Sequence, residues 1–359
     1  MNRPLSDISP EAFATPLLAW YDSHGRDLPW RKRWPELADP YHVFLSELML
    51  QQTVVATVIP YFEEFRTRWP NIHALATASE EEVLQKWAGL GYYARARNMH
   101  KAAKVISQDY KGQFPKDEAS LLALPGIGPY TAAAIQAFAF DQNAIVLDGN
   151  VERVLARYLG DKTALPALKQ HLRAAYPRLA PTSRHSDFGQ AIMDLGAQIC
   201  IPKAPRCELC PLRSHCVMAD DEAAASLPVK APKKVKPKRT GVVFVATTQG
   251  QALLETRPDK GLLAGMKAFP TAGWESKDAL LGTLDDAPLQ ANWRLLNHQV
   301  RHVFTHFELT LQIYHAETSP SEGIMPYQWQ DPDEAGLPTV FAKVWKIIKQ
   351  NDLTKRSCD

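Results

Sequence analysis

Four of the chain's five cysteines, Cys200, Cys207, Cys210 and Cys216, fall within 17 residues in the spacing Cys-x6-Cys-x2-Cys-x5-Cys, and Cys358 stands alone near the C-terminus. In a reducing compartment such a run reads as a ligand set rather than as disulfides. Four thiolates can close a tetrahedral zinc site or hold an iron–sulfur cluster, and either would tie residues 200–216 into a loop. Zinc sites usually show two short cysteine pairs, whereas this stretch has one, with unequal flanking gaps; ferredoxin runs are spaced differently again. Four unrelated buried thiols are the remaining possibility. The opening MNRPLSDISPEAF has no basic flank ahead of an apolar core, and no run approaches the roughly 18 apolar residues of a membrane span. The expectation is a soluble, intracellular chain.

At 359 residues the chain has room for about two domains. Lys plus Arg number 41 against 39 Asp plus Glu, so any nucleic-acid surface must come from local clusters and not from net charge. Residues 1–225 carry amphipathic helical runs such as YHVFLSELMLQQTVVATVIPYFEEF and SEEEVLQKWAGL, with Ser79 and Glu82 spaced as a capping box. Residues 226–240 include VKAPKKVKPKRT, six basic residues with prolines and no acid, which reads as a solvated linker or as a phosphate contact. From Gly241 to Asp359 the pattern turns to strands: GVVFVATTQG with QALLETR as a hairpin, and HFELTLQIYHA as a further strand. SKDALLGTL and AKVWKIIKQ look helical, so this half reads as a smaller α/β or α+β domain.

Several short motifs carry chemistry. Leu124-Pro125-Gly126-Ile127-Gly128-Pro129-Tyr130-Thr131 places two glycines in a tight turn before a helix start, whose free N–H groups make a nest for a phosphate oxygen. The same glycines would serve an ordinary helix–turn–helix connection. Asp148 lies 20 residues beyond Gly128, after Val146-Leu147 and ahead of a helical stretch, and reads as an N-cap or as a functional carboxylate. Glu47, in SELMLQQT, has Val43, Phe44, Leu50 and Gln51 at helical neighbour positions. It is either the edge of an amphipathic stripe or an acid whose pKa desolvation raises toward that of a general acid at neutral pH. In GLGYYARARN, Arg97 with Lys101 and Lys104 forms a basic face at helical spacing. Tyr92 is a core ring or a ring offered for base stacking or wedging.

The hairpin, the Asp and the cysteine run, in this order, resemble the endonuclease III superfamily of DNA glycosylases, in which this cysteine spacing holds a four-iron, four-sulfur cluster. SELMLQQT, Leu28-Pro29-Trp30-Arg31, GLGYYARARN and Met193-Asp194-Leu195-Gly196-Ala197 extend the resemblance over nearly the whole chain, to the adenine DNA glycosylases of the MutY type. The resemblance implies an all-α helix-hairpin-helix glycosylase domain with an iron–sulfur cluster loop, followed by a smaller α/β Nudix-like domain. It implies that Gly126 and Gly128 grip a DNA strand by its backbone, that Glu47 protonates the adenine, and that Asp148 supports the cationic sugar. Tyr130 and Asn150 would position the site, Arg31 assist at the base, and Gln190 lie near the water. Gln51, Gln52, Thr53 and Tyr92 would meet the DNA, with Tyr92 wedged beside the guanine-type base. Relatives that also cut the backbone carry a lysine where Tyr130 stands, and a phenol forms no Schiff base, so the implied activity is monofunctional.

The domain after Gly241 resembles a Nudix fold without the R-E-x-x-E-E-x-G signature of triphosphate hydrolases. His302-Val303-Phe304-Thr305-His306-Phe307 is a hairpin edge with incidental histidines or, by the resemblance, the loop that recognises 8-oxoguanine opposite the adenine. Thr305 stands where the family usually has Ser, which keeps the hydroxyl and adds a methyl. The implied partner is double-stranded DNA with A:8-oxoguanine or A:G mispairs, met by a monomer without a membrane in the cytoplasm at the nucleoid. A same-fold glycosylase for another mispaired base is disfavoured by the Phe-Thr-His loop. A non-catalytic iron–sulfur DNA-binding protein is disfavoured by the joint presence of Glu47 and Asp148.

Overall fold

Two prolines show how this chain starts its helices. Pro10 and Pro40 occupy first helical positions, where a missing N–H is no loss, and Ser9 and Asp39 cap them by accepting the amides of Ala12 and Tyr41. They open α1 (Pro10–His24) and α2 (Pro40–Leu50). The computed structural model describes residues 4, 7–230, 235–258, 261–274, 282–319 and 326–356. Within these, the chain divides into two compact units, Met1–Pro232 and Lys233–Asp359.

The first unit is helical throughout. After α2 come α3 (Val55–Arg68), α4 (Ile72–Thr77), α5 (Glu80–Trp87), α6 (Ala94–Asp109), α7 (Glu118–Leu122), α8 (Pro129–Phe140), α9 (Gly149–Leu159), α10 (Leu168–Leu179) and α11 (His185–Gln198). The capping box at Ser79 and Glu82 is formed at the start of α5. The apolar run read as one stretch from Tyr41 to Phe65 is instead broken. Gln51–Val54 leave the helix, with Gln52 in the left-handed region at φ 62°, and α3 starts afresh at Val55. One apolar core gathers Phe44, Phe62, Phe65, Trp87 and Met99; a second brings α1 back against α9, α10 and α11 through Phe13, Tyr158, Tyr176 and Phe188. Leu227 is buried in the first unit, and the amide of Leu165 donates to the carbonyl of Val229.

The second unit is a mixed sheet with one long helix. Its strands are β1 (Lys238–Thr248), β2 (Gln251–Thr256), β3 (Lys267–Ala268), β4 (Thr271–Ala272), β5 (Arg294–Val303), β6 (Glu308–Glu317) and β7 (Gln328–Gln330), followed by α12 (Thr339–Arg356). The order is β3-β2-β1-β6-β5, with β4 on β1 and β7 on β2. β1 runs parallel to β6 from Lys238 opposite Glu308 to Thr247 opposite Glu317. Gly241–Thr248 of β1 are all buried, as a central strand requires. Phe341, Val344 and Ile348 of α12 share a core with Val243, Val245, Leu311 and Ile313. The hairpin read from GVVFVATTQG and QALLETR is β1–β2. Lys238, Arg239 and Thr240, read as linker, are already in β1. Of SKDALLGTL, residues 276–281 lie outside the described residues, as does Cys358. Among the described residues no helix is long and apolar enough to cross a membrane.

Candidate active site

Between the two apolar cores of the first unit lies a cleft of about 700 Å³, a volume suited to a small ligand or a single base. Glu47, Tyr130, Asp148, Asn150, Arg31 and Gln190 line it, and so do Gln51, Gln52 and Thr53 at its mouth. Side chains far apart in the chain thus meet in one place.

Glu47 faces this cleft because α2 is a central helix, with Tyr41 and Val43–Met49 buried along its length. The residue is only 4% exposed. The Tyr130 hydroxyl, from the first turn of α8, donates to its carboxylate. Burial pushes the Glu47 carboxyl from 4.5 up to about 7; the Tyr130 hydrogen bond and the Arg31 guanidinium pull it down, and Asp148 pushes it further up. Burial and the same two carboxylates hold the Tyr130 phenol well above its ordinary value.

Asp148 is the N-cap of α9 and also lines the cleft. One oxygen accepts the Val151 amide at 2.7 Å, and the other accepts Asn150 Nδ2 at 3.1 Å. Asn150 is itself held: its Oδ1 accepts Arg153 Nη2 at 2.8 Å, and Arg153 Nε donates to the Cys200 carbonyl at 2.8 Å. The carboxylate therefore has little freedom to turn.

Arg31 is fixed from behind. Its Nη1 donates to both oxygens of Asp194 at 2.9 Å, and Asp194 is fully buried. The same carboxylate accepts the backbone amide and Nε of Arg26, another cleft residue, at 2.8 and 2.7 Å. Arg26 carries no local sequence signal, and Asp194 carries only that of an acid inside the apolar run of α11. Gln190 lines the cleft, but its amide donates to the carbonyl and hydroxyl of Ser186 at 3.2 and 3.0 Å, while Tyr21 donates to its oxygen at 3.3 Å. Both of its N–H groups are spent, so toward the cleft it can only accept.

At the rim, Tyr92 is 63% exposed and in the left-handed region at φ 48°, which removes the reading as a core ring. Arg95 holds this turn to the end of α2. Its guanidinium donates to the carbonyls of Leu48 at 2.9 Å, Met49 at 3.0 Å, Gln51, and Leu90 at 2.8 Å, with its charge 5.6 Å from the Tyr92 ring centroid. It satisfies carbonyls that the end of α2 leaves open. Gly126 has φ 78°, and a Cβ there would stand 2.7 Å from Cβ of Asn98. Gly128 is the N-cap of α8. Lys101 and Lys104 of α6 are exposed.

Cys200, Cys207, Cys210 and Cys216 form no disulfide and line one small pocket with Arg157 and Arg206. Among the described residues no three His, Cys, Asp or Glu side chains are placed to hold a single metal ion. Arg157 Nη1 donates to the Cys200 sulfur at 3.4 Å and to the Ile201 carbonyl at 2.8 Å, and Nη2 to the Pro202 carbonyl at 2.7 Å. An all-cysteine donor set around one pocket, with a guanidinium beside it, fits an iron–sulfur cluster.

In the second unit, Phe304–Phe307 form the turn between β5 and β6, closed by the Phe304 amide donating to the Phe307 carbonyl at 2.9 Å. Thr305 and His306 are exposed at its tip. Phe304 lies parallel to the Trp274 ring at 6.3 Å between centroids.

Compared with known proteins, residues 45–177 match the family described as HhH-GPD superfamily base excision DNA repair protein, and residues 241–347 match the NUDIX domain. The chain is 35% identical to the adenine DNA glycosylase of Rattus norvegicus, over 97% of this chain and 79% of that one. It is 33% identical to the adenine DNA glycosylase of Buchnera aphidicola subsp. Schizaphis graminum, over 94% and 99%. Among solved structures, a thermostable thymine-DNA glycosylase is similar at a TM-score of 0.52 and 28% identity, over 59% of this chain and 96% of that one.

Proposed function

This chain belongs to the adenine DNA glycosylase family of base excision repair enzymes, and from that premise we propose that it removes adenine mispaired with 8-oxoguanine or guanine in duplex DNA, without cutting the backbone. One observation carries the reading: two carboxylates share a cleft, and their surroundings make them different. Glu47 is buried, and that burial pushes its carboxyl up to about 7, whereas Asp148 has each oxygen held by a donor. Glycoside hydrolysis needs that division, with an acid for the leaving group and a carboxylate for the cationic sugar.

A base inside a duplex must be turned out of the stack to enter the cleft. Glu47 gives its proton to the adenine, and the bond from the base to C1′ breaks with its electrons going to the base. Asp148 stabilises the oxocarbenium ion, water adds at C1′, and the proton it releases restores Glu47. Tyr130 orients the Glu47 carboxylate, Asn150 orients Asp148, and Arg31 faces the base from its Asp194 anchor. With Tyr130 and no lysine at this point in the cleft, no imine to the sugar forms there. The strand is gripped at Gly126 and Gly128, with Tyr92, Gln52 and Thr53 at the opening. Phe304, Thr305 and His306 of the second unit read the base opposite.

Cys200, Cys207, Cys210 and Cys216 would hold a four-iron, four-sulfur cluster. When bound, it supplies a cross-link that fixes the 200–216 loop and presents the exposed Lys203 and Arg206 to phosphate.

Single-turnover reactions of the full chain on duplexes with A:8-oxoguanine, A:G, A:C and T:G pairs test the reading. It expects free adenine from the first two and an abasic strand that breaks only after alkali. Faster release of thymine from T:G than of adenine from either purine pair would overturn it.

A further inference from the structure

The basic stretch that leads into β1 is not merely a spacer. Its last residues are tied to the turn between β5 and β6 at three points. Lys236 Nζ donates to the Phe304 carbonyl at 2.7 Å. The Pro237 carbonyl accepts the Glu308 amide at 3.0 Å. The Arg239 guanidinium lies 4.1 Å from the centroid of the Phe307 ring, and its Nη1 donates to the Trp274 carbonyl at 3.1 Å. Lys236 is partly buried, as expected for a lysine whose stem lies along the protein and whose ammonium has a partner.

The Phe304 carbonyl belongs to the same planar peptide as the Thr305 N–H. In a trans peptide the two point in opposite directions, so gripping the oxygen fixes where the amide hydrogen and the adjoining side chain point. The other face of the turn is already set, because the Phe304 amide bonds to the Phe307 carbonyl and the Phe304 ring stacks on Trp274. Thr305 and His306 are left exposed on a backbone held from both sides. A four-residue turn without this hold would let that peptide plane rotate at small energetic expense.

We propose that Lys236 is a positioning residue for base discrimination, orienting the Phe304–Thr305 peptide so that the turn can distinguish 8-oxoguanine from guanine. This rests on the reading that Phe304, Thr305 and His306 meet the base opposite the adenine. A charge-assisted hydrogen bond to a backbone carbonyl is the strong kind, and no neighbouring donor replaces it within the turn's own bonds.

The test compares Lys236→Met, Lys236→Arg and Thr305→Ala in the full chain, with single-turnover excision measured on A:8-oxoguanine and A:G duplexes. Lys236→Met should lower the ratio of the two rates about two- to tenfold, the range for losing one hydrogen bond. It should leave the A:G rate unchanged. Lys236→Arg, which can still donate, should recover most of the ratio. If Thr305→Ala lowers the ratio and Lys236→Met does not, the turn reads the base without the clamp and the proposal fails alone. If neither lowers it, the reading of the turn fails and takes the proposal with it. Equal loss on both duplexes, largest at low salt and shrinking as salt is raised, would make Lys236 a phosphate contact and overturn the positioning role.

Discussion

Replacing Glu47 by Gln should inactivate the enzyme and stabilise it, and both effects should depend on pH in opposite ways. Glu47 must be protonated to act, and its carboxyl is pushed from 4.5 to about 7. Below pH 7 the single-turnover rate of the parent should be flat, and above it the rate should fall about tenfold per unit as the proton is lost. An amide in place of this carboxyl cannot supply the proton, so the rate on the plateau should drop on the order of a hundredfold to ten-thousandfold. Stability follows from the same shift. A carboxyl whose folded value lies above its unfolded value binds more protons when folded, so the parent loses stability as pH rises from 4.5 to about 7. At about 1.4 kcal/mol per unit, the loss reaches about 3 kcal/mol above that window. The Gln variant carries no such loss. Its advantage in urea midpoint or Tm, followed through the helical signal, should be absent below pH 4.5 and grow to its full value by pH 8. A parent rate that stays flat to pH 9, together with a Gln variant whose stability advantage does not change with pH, would refute the assignment of Glu47 as a buried acid.

Other substitutions act on the same cleft. Asp148→Asn keeps the cap to Val151 but turns an amide toward the Asn150 donor, so excision should fall at least about a hundredfold in single-turnover assays while Tm changes by no more than a few degrees. Arg31→Met removes a cation that lowers the Glu47 pKa, so the falling limb of the rate profile should move to higher pH; a shift to lower pH would contradict the geometry. Tyr130→Lys should let borohydride trap an enzyme–DNA adduct that the parent forms poorly, seen as a shifted band in denaturing gels. The purified chain should contain about four irons and four sulfides, and Cys207→Ser should lose them; one zinc and no sulfide would replace the cluster by a zinc site.

Much of the cleft was legible because the relevant signals are local. Glu47 among Val43, Phe44, Leu50 and Gln51 predicts an acid on an apolar helix face, and burial of α2 made that face complete. Asp148 ahead of a helical stretch predicts a cap, and the cap bond is present. Ser79 and Glu82 predict a capping box for the same reason. What escaped was non-local. The break at Gln51–Val54 is invisible to periodicity, because apolar residues continue across it; it is stabilised by Arg95, 47 and 46 positions away from the Leu48 and Met49 carbonyls it binds at the end of α2. Arg95 lies within GLGYYARARN, where nothing local marks it as the residue that binds the end of α2. Asp194 was an acid in a motif until its contacts with Arg26 and Arg31 were visible. Lys236 looked like part of a solvated run because its partner lies 68 residues further on.

The two carboxylates show how one helical scaffold gives two acids different surroundings without any special chemistry. Glu47 projects from the middle of a helix, where backbone N–H groups are already used and the neighbours are apolar, so nothing but Tyr130 and Arg31 favours its charge. Asp148 sits where a helix begins, where N–H groups are unused and one of them, from Val151, reaches its oxygen. Mid-helix and helix-start positions therefore differ as hosts for a carboxylate before any substrate arrives. The cleft requires only that the side of α2 and the N-terminus of α9 face one another. Tyr130 then couples the two, since its hydroxyl donates to Glu47 while its phenol senses the charge of both carboxylates. Moving either acid by one position would turn Glu47 off the face it shares with Val43 and Leu50, or take Asp148 away from the amide that caps it, and the difference in their surroundings would be lost although both residues remained in the chain.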